Sequence, residues 1–200
     1  MGKYIEQGKK RRKRKKQEQE NEQGIFSTLL GWILYIAVIV VLTYVIITFV
    51  GQRTVVSGSS METTLSDGDN LIVDKISYRF KDPERFDIIV FPYKYEAHTY
   101  YIKRIIGMPG DTIQIIDGYV YIDGKLLESD IYGNEVMEYA SIASTPIELG
   151  EDEYFVLGDN RNHSSDSRDP SVGVLTREDL IGKAWVRVYP FDEMGVIKHE

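Results

Sequence analysis

Hydrophobic and polar positions divide the chain into three stretches. The first 24 residues are mostly polar, and Ile25 to Val50 then forms a run of 26 residues without a charge. From residue 51 onward, short apolar runs alternate with turn residues. A helix of 26 residues reaches about 39 Å, enough to cross a hydrocarbon core of about 30 Å. The pattern therefore predicts a tail at 1–24, a transmembrane helix at 25–50 and a folded domain at 51–200.

Two other interpretations of the apolar run compete with a membrane anchor. A buried core helix usually carries a polar stripe, and this run has none. A cleavable signal peptide has an apolar region of about 7–15 residues followed closely by a small-residue cleavage site. The run is longer than that, and Gly51–Thr54 is a poor cleavage site. An uncleaved signal anchor is therefore favoured.

The domain at 51–200 has the pattern of a mainly β structure. Apolar, β-branched and aromatic runs recur between turn residues, at 70–75, 86–91, 99–106, 112–116, 119–122, 154–157 and 183–189. Asp117-Gly118 and Asp123-Gly124 are strong hairpin signals, so 112–124 predicts a meander. Thr176–Leu180 predicts a short Thr-capped helix. Residues 130–150 have no clear period and predict a surface insertion.

Charge is distributed unevenly between these stretches. Residues 1–23 carry nine Lys/Arg and four Glu, a net charge of +5, whereas residues 51–200 carry a net charge of -12. A basic run such as Lys9–Lys16 could be a nucleic-acid arm, a nuclear-type address or a topology signal. Lys and Arg before a membrane span stay in the cytoplasm, and they can contact anionic lipid. We therefore expect a cytoplasmic N-terminus, an extracytoplasmic domain and no nucleic-acid partner.

The composition excludes several kinds of chemistry. The chain has no cysteine, which rules out a cysteine nucleophile, a disulfide and Cys-ligated metals. It lacks the GxxxxGK[ST], GxGxxG, HExxH and GxSxG motifs. Of its three histidines, His98 and His163 lie in no recognisable catalytic setting and are predicted to be surface residues. We expect no metal or other cofactor.

Three segments carry candidate chemistry, and each has a plain alternative. Ser57–Leu65 is rich in small residues and could expose a hydroxyl beside free backbone N–H groups, or it could be a polar linker. In Tyr100–Asp111, Lys103 is flanked by Ile and Tyr; if desolvated it could act as a base, although it could also extend from a half-buried strand. Leu157–Pro170 alternates Asp and Arg with Asn and Ser, as in a loop made rigid by Arg–carboxylate pairs or in an ordinary solvated loop.

Together these segments resemble the type I signal peptidases, membrane-anchored Ser–Lys endopeptidases of peptidase family S26. Ser60–Leu65 resembles the family's S-M-x-P-T-L box, and Arg85–Val90 resembles its R-x-D-I-V-V box. Lys103–Asp111 resembles K-R-V-x-G-x-P-G-D, and Gly158–Arg168 matches G-D-N-R-x-x-S-x-D-S-R. The resemblance runs from the span to about residue 190. It implies a largely antiparallel fold of two packed sheets, and the single span resembles Gram-positive members.

Position by position, the resemblance implies Ser60 as nucleophile and Lys103 as general base. Gly58 falls at the oxyanion position, where the oxyanion would be held mainly by backbone N–H groups including that of Ser60. Ser164 matches the serine that orients the lysine. The positions that match small substrate pockets are Val56, Met61, Leu65, Tyr101 and Ile102. The positions that match a structural charged loop are Asp159, Arg161, Asp166 and Arg168.

The implied function is removal of signal peptides from exported proteins after small residues at positions -3 and -1, close to the secretion translocon. Thr63 departs from the family, because it stands where the box has proline, and it could lower activity. Two alternatives stay open: a peptidase dedicated to a few surface proteins, and a non-catalytic assembly factor. A self-cleaving repressor shares Ser–Lys chemistry but has a DNA-binding module in place of the membrane span.

Overall fold

The computed structural model describes residues 28–45, 51–133 and 135–199, and its architecture is mainly β, as predicted. The predicted tail lies outside the described residues. One helix, α1 (Thr28–Val45), precedes twelve strands. The strands are β1 (Gly51–Val55), β2 (Asn70–Asp74), β3 (Ile88–Pro92), β4 (Tyr100–Gly107), β5 (Thr112–Ile116), β6 (Tyr119–Ile122), β7 (Lys125–Leu126), β8 (Ile147–Glu148), β9 (Glu153–Leu157), β10 (Leu175–Thr176), β11 (Gly182–Tyr189) and β12 (Gly195–Val196). Short 3-10 helices cover Ser77–Arg79, Ser141–Ser144, Arg177–Asp179 and Phe191–Glu193.

Helix α1 falls inside the predicted membrane span. Among the described residues it is the one helix long and apolar enough to cross a membrane, and all of its side chains are exposed. An exposed apolar surface on every side of a helix suits a lipid environment better than water. The ends of the predicted span, 25–27 and 46–50, lie outside the described residues. The helix is consistent with membrane anchoring.

A large antiparallel sheet carries the segments with candidate chemistry. Its strand order is β1-β2-β11-β3-β4-β9-β10, and β12 pairs with β11. All seven strands predicted from apolar runs are present, with ends that agree within two residues. Strand β1 was missed because Gln52, Arg53 and Thr54 interrupt its apolar pattern. The predicted helix at 176–180 is a single 3-10 turn, and the Asp179 carboxylate accepts hydrogen bonds from the backbone N–H and hydroxyl of Thr176.

A smaller sheet has the order β7-β6-β5-β8 and contains the predicted meander. Asp117 and Gly118 have φ of 50° and 82°, and Asp123 and Gly124 have φ of 53° and 75°. Positive φ at both central residues is the conformation of the two-residue turn whose twist matches that of its strands. The Asp-Gly pairs therefore set the register of this sheet, with Ile116 opposite Tyr119 and Ile122 opposite Lys125.

Three buried clusters hold the domain together, and one of them supports the segment that contains Ser60. In that cluster Val56, Met61 and Leu65 pack against apolar residues of β2, β3 and β11. A second cluster lies against β3, β4 and β9 and includes Ile89 and Ile105. The third fills the space between the two sheets, where Ile106 and Phe155 of the large sheet meet the small one.

The segment at 130–150, predicted as a surface insertion, also contributes to the interior. Met137, Ala143 and Leu149 are buried in the cluster between the two sheets. Within the segment, Asp130 forms an ion pair with Arg161 at 2.7 Å, and both side chains are almost fully buried. Much of the segment is nevertheless exposed, including Ile131 and Tyr139. The segment therefore covers both the small sheet and the charged loop after β9.

Candidate active site

Ser60 lies in the tight turn that joins β1 to β2. Gly58, two residues earlier, has a φ of 92°, and its N–H donates to the Asp67 carboxylate at 2.8 Å. After Ser60, the N–H groups of Thr64 and Leu65 both donate to the carbonyl of Met61 at 2.8 Å. Met61 and Leu65 are 1% and 0% exposed, so their side chains hold this segment against the buried core. The small residues thus belong to a folded, hydrogen-bonded connection between β1 and β2 rather than to an open linker.

Lys103 lies on β4 and is 3% exposed. Its Nζ is 2.7 Å from Ser60 Oγ and 2.9 Å from the carbonyl oxygen of Ile102, and it lies 5.2 Å from the centre of the Tyr101 ring. In the described part of the chain, no carboxylate lies within ion-pair distance of this amine. The two residues that the sequence singled out, 43 positions apart, are therefore in direct contact.

Burial lowers the pKa of Lys103 to about 8, whereas Asp166 and, less strongly, Asp159 act to raise it. Desolvation disfavours the ammonium form, and the absence of a close carboxylate leaves this effect largely unopposed. An amine with a pKa of about 8 is neutral in about a tenth of molecules at pH 7 and in about half of them at pH 8. Its lone pair can then accept the proton of a hydroxyl 2.7 Å away.

A groove of about 170 Å³ opens beside Ser60 and Lys103. Three of the five predicted pocket residues line it: Val56, Tyr101 and Ile102. The other two, Met61 and Leu65, are instead buried in the core beneath the turn. The remaining lining residues, which the sequence analysis missed, are Thr54, Val55, Ser57, Val90, Tyr100 and Ser165. Most of them come from β1, β3 and β4, and only the tertiary fold brings these strands to one groove.

Ser164 makes no hydrogen bond with the lysine amine within the described residues. Its hydroxyl is buried and has no hydrogen-bond partner among residues 28–45, 51–133 and 135–199. It lies next to Gly158, where an added Cβ would be 2.2 Å from Ser164 Oγ. The role of Ser164 in orienting Lys103 stays a prediction, as does the role of Gly58 in holding the oxyanion.

The charged loop after β9 forms the predicted Arg–carboxylate pairs. Two of its three pairs, however, use a partner that lies outside the loop. Asp166 accepts from Arg168 Nε and Nη2, both at 2.9 Å, within the loop. Asp159 instead accepts from Arg104 Nε at 2.9 Å and Nη2 at 2.7 Å, and Arg161 pairs with Asp130. All three carboxylates lie largely out of solvent, so each needs its guanidinium partner.

Two residues that received no role from the sequence join this loop to the turn that carries Ser60. Asn160 donates its backbone N–H to the Ser60 carbonyl and its side-chain amide to the Ser59 carbonyl, both at 3.1 Å. Gly158 makes the approach possible, since a Cβ there would lie 2.4 Å from the Ser60 carbonyl oxygen. Both residues stand in the G-D-N-R motif, but their purpose depends on a contact about a hundred positions away.

The remaining candidates add no second site. His98 and His163 are exposed, as predicted. Across the described ranges, no group of three or more His, Asp or Glu side chains is placed to hold a metal ion.

Comparison with known proteins confirms the resemblance seen in the four boxes. The family described as "Signal peptidase, peptidase S26" matches residues 29–189. "Probable signal peptidase I-2" of Synechocystis sp. is 42% identical over 164 residues, which cover 79% of this chain and 72% of that protein. "Signal peptidase I" of Leptolyngbya laminosa is 40% identical over 179 residues, 84% of each chain.

Two further similar proteins come from Bacillus subtilis subsp. natto and Enterococcus faecalis V583. "Signal peptidase I P" of Bacillus subtilis subsp. natto is 36% identical over 178 residues, 86% of this chain and 95% of that protein. A crystal structure of a signal peptidase I from Enterococcus faecalis V583 has 34% sequence identity and a TM-score of 0.41, and it covers 52% of this chain and 97% of its own. The chain described here belongs to the signal peptidase family, peptidase S26.

Proposed function

We propose that the chain is a membrane-bound serine endopeptidase that removes N-terminal signal peptides by a Ser60–Lys103 dyad. The observation that carries the proposal is the 2.7 Å contact between Lys103 Nζ and Ser60 Oγ, made by an amine that is 3% exposed. A nucleophile in hydrogen-bond contact with a base of matched pKa is the arrangement that covalent catalysis requires. The same contact argues against a non-catalytic assembly role.

In this mechanism neutral Lys103 takes the hydroxyl proton as Ser60 Oγ attacks the scissile carbonyl carbon. The carbonyl oxygen becomes an oxyanion, held mainly by backbone N–H groups that include that of Ser60. As the carbon–nitrogen bond breaks, the Lys103 ammonium donates its proton to the leaving amine, and an ester to Ser60 remains. Lys103, again neutral, takes a proton from water as the water oxygen attacks the ester carbon. The bond from that carbon to Ser60 Oγ then breaks, Oγ takes the proton back from Lys103, and the signal peptide leaves with a free carboxyl group.

The substrate in this proposal is an extended strand with small side chains at positions -3 and -1. Val56 and Ile102 give the groove of about 170 Å³ beside Ser60 apolar walls, which suit small apolar side chains. From Tyr100 to Lys103, β4 pairs with β3 along one edge, whereas β9 pairs with β4 only from Arg104 onward. The free edge can accept a peptide strand by backbone hydrogen bonding.

The proposed topology places residues 1–24 in the cytoplasm, α1 in the membrane and the β domain outside. It rests on the nine basic residues before the apolar run, which carries no charge. The partners in this proposal are precursor proteins, the lipid bilayer and, by proximity, the secretion translocon. Protease added outside intact protoplasts should digest the domain and spare the tail; protection of the domain would contradict the topology.

The dyad is tested with the full chain in detergent micelles and an exported precursor that carries an Ala-x-Ala site. Ser60→Ala and Lys103→Arg should each abolish cleavage, because guanidinium keeps the charge but cannot give up its proton. The double variant His98→Ala/His163→Ala is the control and should cleave normally. Near-normal turnover by Lys103→Arg would exclude lysine as the base.

The pH profile tests the identity of the base independently. Because Lys103 works in its neutral form, kcat/KM should rise with pH through an ionisation near the lowered pKa of about 8. A histidine base would place this rise near about 6.5. Assays with several precursors will separate a general peptidase from one dedicated to a few surface proteins.

A further inference from the structure

The surroundings of Lys103 contain more negative charge than its hydrogen bonds indicate. Within the described residues its Nζ contacts only a hydroxyl and a carbonyl oxygen. Asp159 and Asp166 nevertheless lie close enough to act on the amine, and both act to raise its pKa. Both carboxylates are 0% exposed, so water screens them little. Without compensation, two such charges would favour the ammonium form of Lys103.

Each of these carboxylates is bound by one arginine through two nitrogens. Arg104 donates to both oxygens of Asp159, and Arg168 does the same for Asp166. Both arginines are themselves buried, at 0% and 6% exposure. Arg104 follows Lys103 directly on β4, and the strand alternation turns it to the opposite face.

We propose that Arg104 and Arg168 act as electrostatic shields, which neutralise Asp159 and Asp166 and so keep Lys103 neutral in the pH range where the enzyme works. The inference rests on the proposed Ser60–Lys103 function. It gives the charged loop a second task beside its structural one, because the loop sets the pH at which the base becomes available. Arg104 and Arg168 are therefore positioning residues that act through the carboxylates.

The other groups that face Lys103 do not supply this compensation. On β4 itself Tyr101 presents its ring, whose π face attracts a cation and so favours the ammonium form. From the nucleophile turn only the uncharged Ser60 hydroxyl reaches the amine. The charged groups that act on Lys103 are Asp166 and Asp159, each bound by its own arginine, so removing either member of a pair changes the charge near the amine.

The test compares kcat/KM against pH for three variants of the full chain in detergent micelles. Asp166→Asn leaves the Arg168 charge in excess, so the rise in activity should move to lower pH by about half to one unit. Arg168→Gln leaves the Asp166 charge in excess and should move the rise to higher pH by a similar amount. The double variant removes both charges and should return the rise close to its wild-type position.

Two further single variants, Asp159→Asn and Asp130→Asn, are compared in the same pH profiles. Asp159→Asn should move the rise in the same direction as Asp166→Asn but less, because Asp159 has the weaker effect on Lys103. Asp130→Asn is the matched control, since it breaks an equally buried pair with Arg161. That pair does not act on Lys103, so this variant should lose stability while its pH profile stays in place.

A ¹³C NMR titration of the Lys103 side chain serves any variant that folds but turns over too slowly to assay. It should show the same order of shifts, and Asp159→Asn supplies the answer where a single Asp166 or Arg168 variant fails to fold. If Lys103 titrates identically in wild type and in every folded variant, or if Asp130→Asn shifts it equally, the shielding proposal is wrong. Loss of the pH rise in the wild type itself would instead contradict the proposed function.

Discussion

Lys103 and Lys183 occupy the same rung of the large sheet, because each pairs with Ile89 of β3 from opposite sides. Their surroundings differ in the partner that meets the amine. Lys183 forms an ion pair with the carboxylate of Asp87 and keeps 26% of its side chain exposed. Lys103 is 3% exposed and contacts only a hydroxyl and a carbonyl oxygen.

This difference shows how a lysine of a β-sheet can become able to act as a base, as we propose for Lys103. A carboxylate at contact distance stabilises an ammonium group, so a lysine with such a partner is a structural residue. Burial without such a partner lowers the pKa of Lys103 to about 8. The turn that carries Ser60 places a neutral hydroxyl where the Lys183 site has a carboxylate. The chemistry therefore depends on which side chain reaches the amine.

The largest effect should come from a change that moves the hydroxyl away from Lys103. In Gly158→Ala the new Cβ would lie 2.4 Å from the Ser60 carbonyl oxygen and 2.2 Å from Ser164 Oγ. The backbone of the nucleophile turn cannot rotate aside as a side chain can, so the turn must shift. A misplacement of about 1 Å can cost about 100-fold, and we expect kcat/KM to fall by about that factor or more.

Gly195→Ala is the control for this prediction, because a Cβ there meets no atom within 4 Å. It should leave kcat/KM within about twofold of wild type, as is usual for surface substitutions. Wild-type turnover by Gly158→Ala would mean that the close approach of the charged loop to Ser60 has no catalytic value.

The Lys103 side of this comparison could largely be predicted from the sequence. With Ile and Tyr beside it, Lys103 could be either a desolvated amine or a lysine extending from a half-buried strand, and the family resemblance paired it with Ser60. The two Asp-Gly pairs predicted their hairpins because their turn conformation is a local property. Each hairpin signal lies within a few residues, which is why a single sequence reveals it, whereas the pairing of Ser60 with Lys103 across 43 positions came from the family resemblance.

Contacts between distant positions could not be predicted in the same way. Arg104 binds Asp159 across 55 positions and Arg161 binds Asp130 across 31, although closer charged residues were available to each. Which carboxylate meets which guanidinium is decided by sheet order and by the path of the segment at 130–150. For the same reason, the sequence did not predict that His199 accepts the N–H of Ile88 at 3.0 Å.

The second prediction uses the stability of the fold, where the two lysines should give opposite signs. The pKa of Lys103 is about 8 when folded and near 10.5 in the unfolded chain, so the unfolded state binds more protons between these values. Wild-type stability therefore rises with pH across that window and carries the full cost of desolvation below it. Lys103→Met removes a cost of about 3 kcal/mol at pH 7 and a hydrogen bond worth about 1 kcal/mol, a net gain of about 2 kcal/mol.

Lys183→Met should instead lower the free energy of unfolding by about 1–3 kcal/mol, since it removes the cation from a buried carboxylate. Asp87 keeps the hydroxyl of Tyr78 at 2.8 Å and the N–H of Glu84 at 3.1 Å, which limits the loss. Denaturant titrations at pH 7 and pH 10.5 measure both variants, and the gain in Lys103→Met should shrink at the higher pH. Destabilisation of equal size at both lysines would show that Lys103 bears no desolvation cost.

The smallest effect concerns His199, which lies 3.9 Å from the carboxylate that binds Lys183. Burial and the Lys183 ammonium lower the pKa of His199 to about 4, below its ordinary value of 6.5. The unfolded state therefore binds more protons between pH 4 and pH 6.5, and this residue makes the fold less stable as the pH falls through that range. Protonation would also take away the lone pair of Nδ1 that accepts the Ile88 N–H.

His199→Gln keeps an acceptor for the Ile88 N–H and removes the proton, so its advantage over wild type should grow as the pH falls. We expect little difference at pH 8 and a gain of about 1–2 kcal/mol at pH 5, measured by denaturant unfolding at each pH. The variant should leave the rise of kcat/KM near pH 8 unchanged, because that rise belongs to Lys103. A constant offset between the two proteins from pH 8 to pH 5 would mean that His199 remains accessible to protons in the folded state. In that case protonation of His199 would not lower the free energy of unfolding, and of these two groups, His199 and Lys103, only Lys103 would link its ionisation to the stability of the fold.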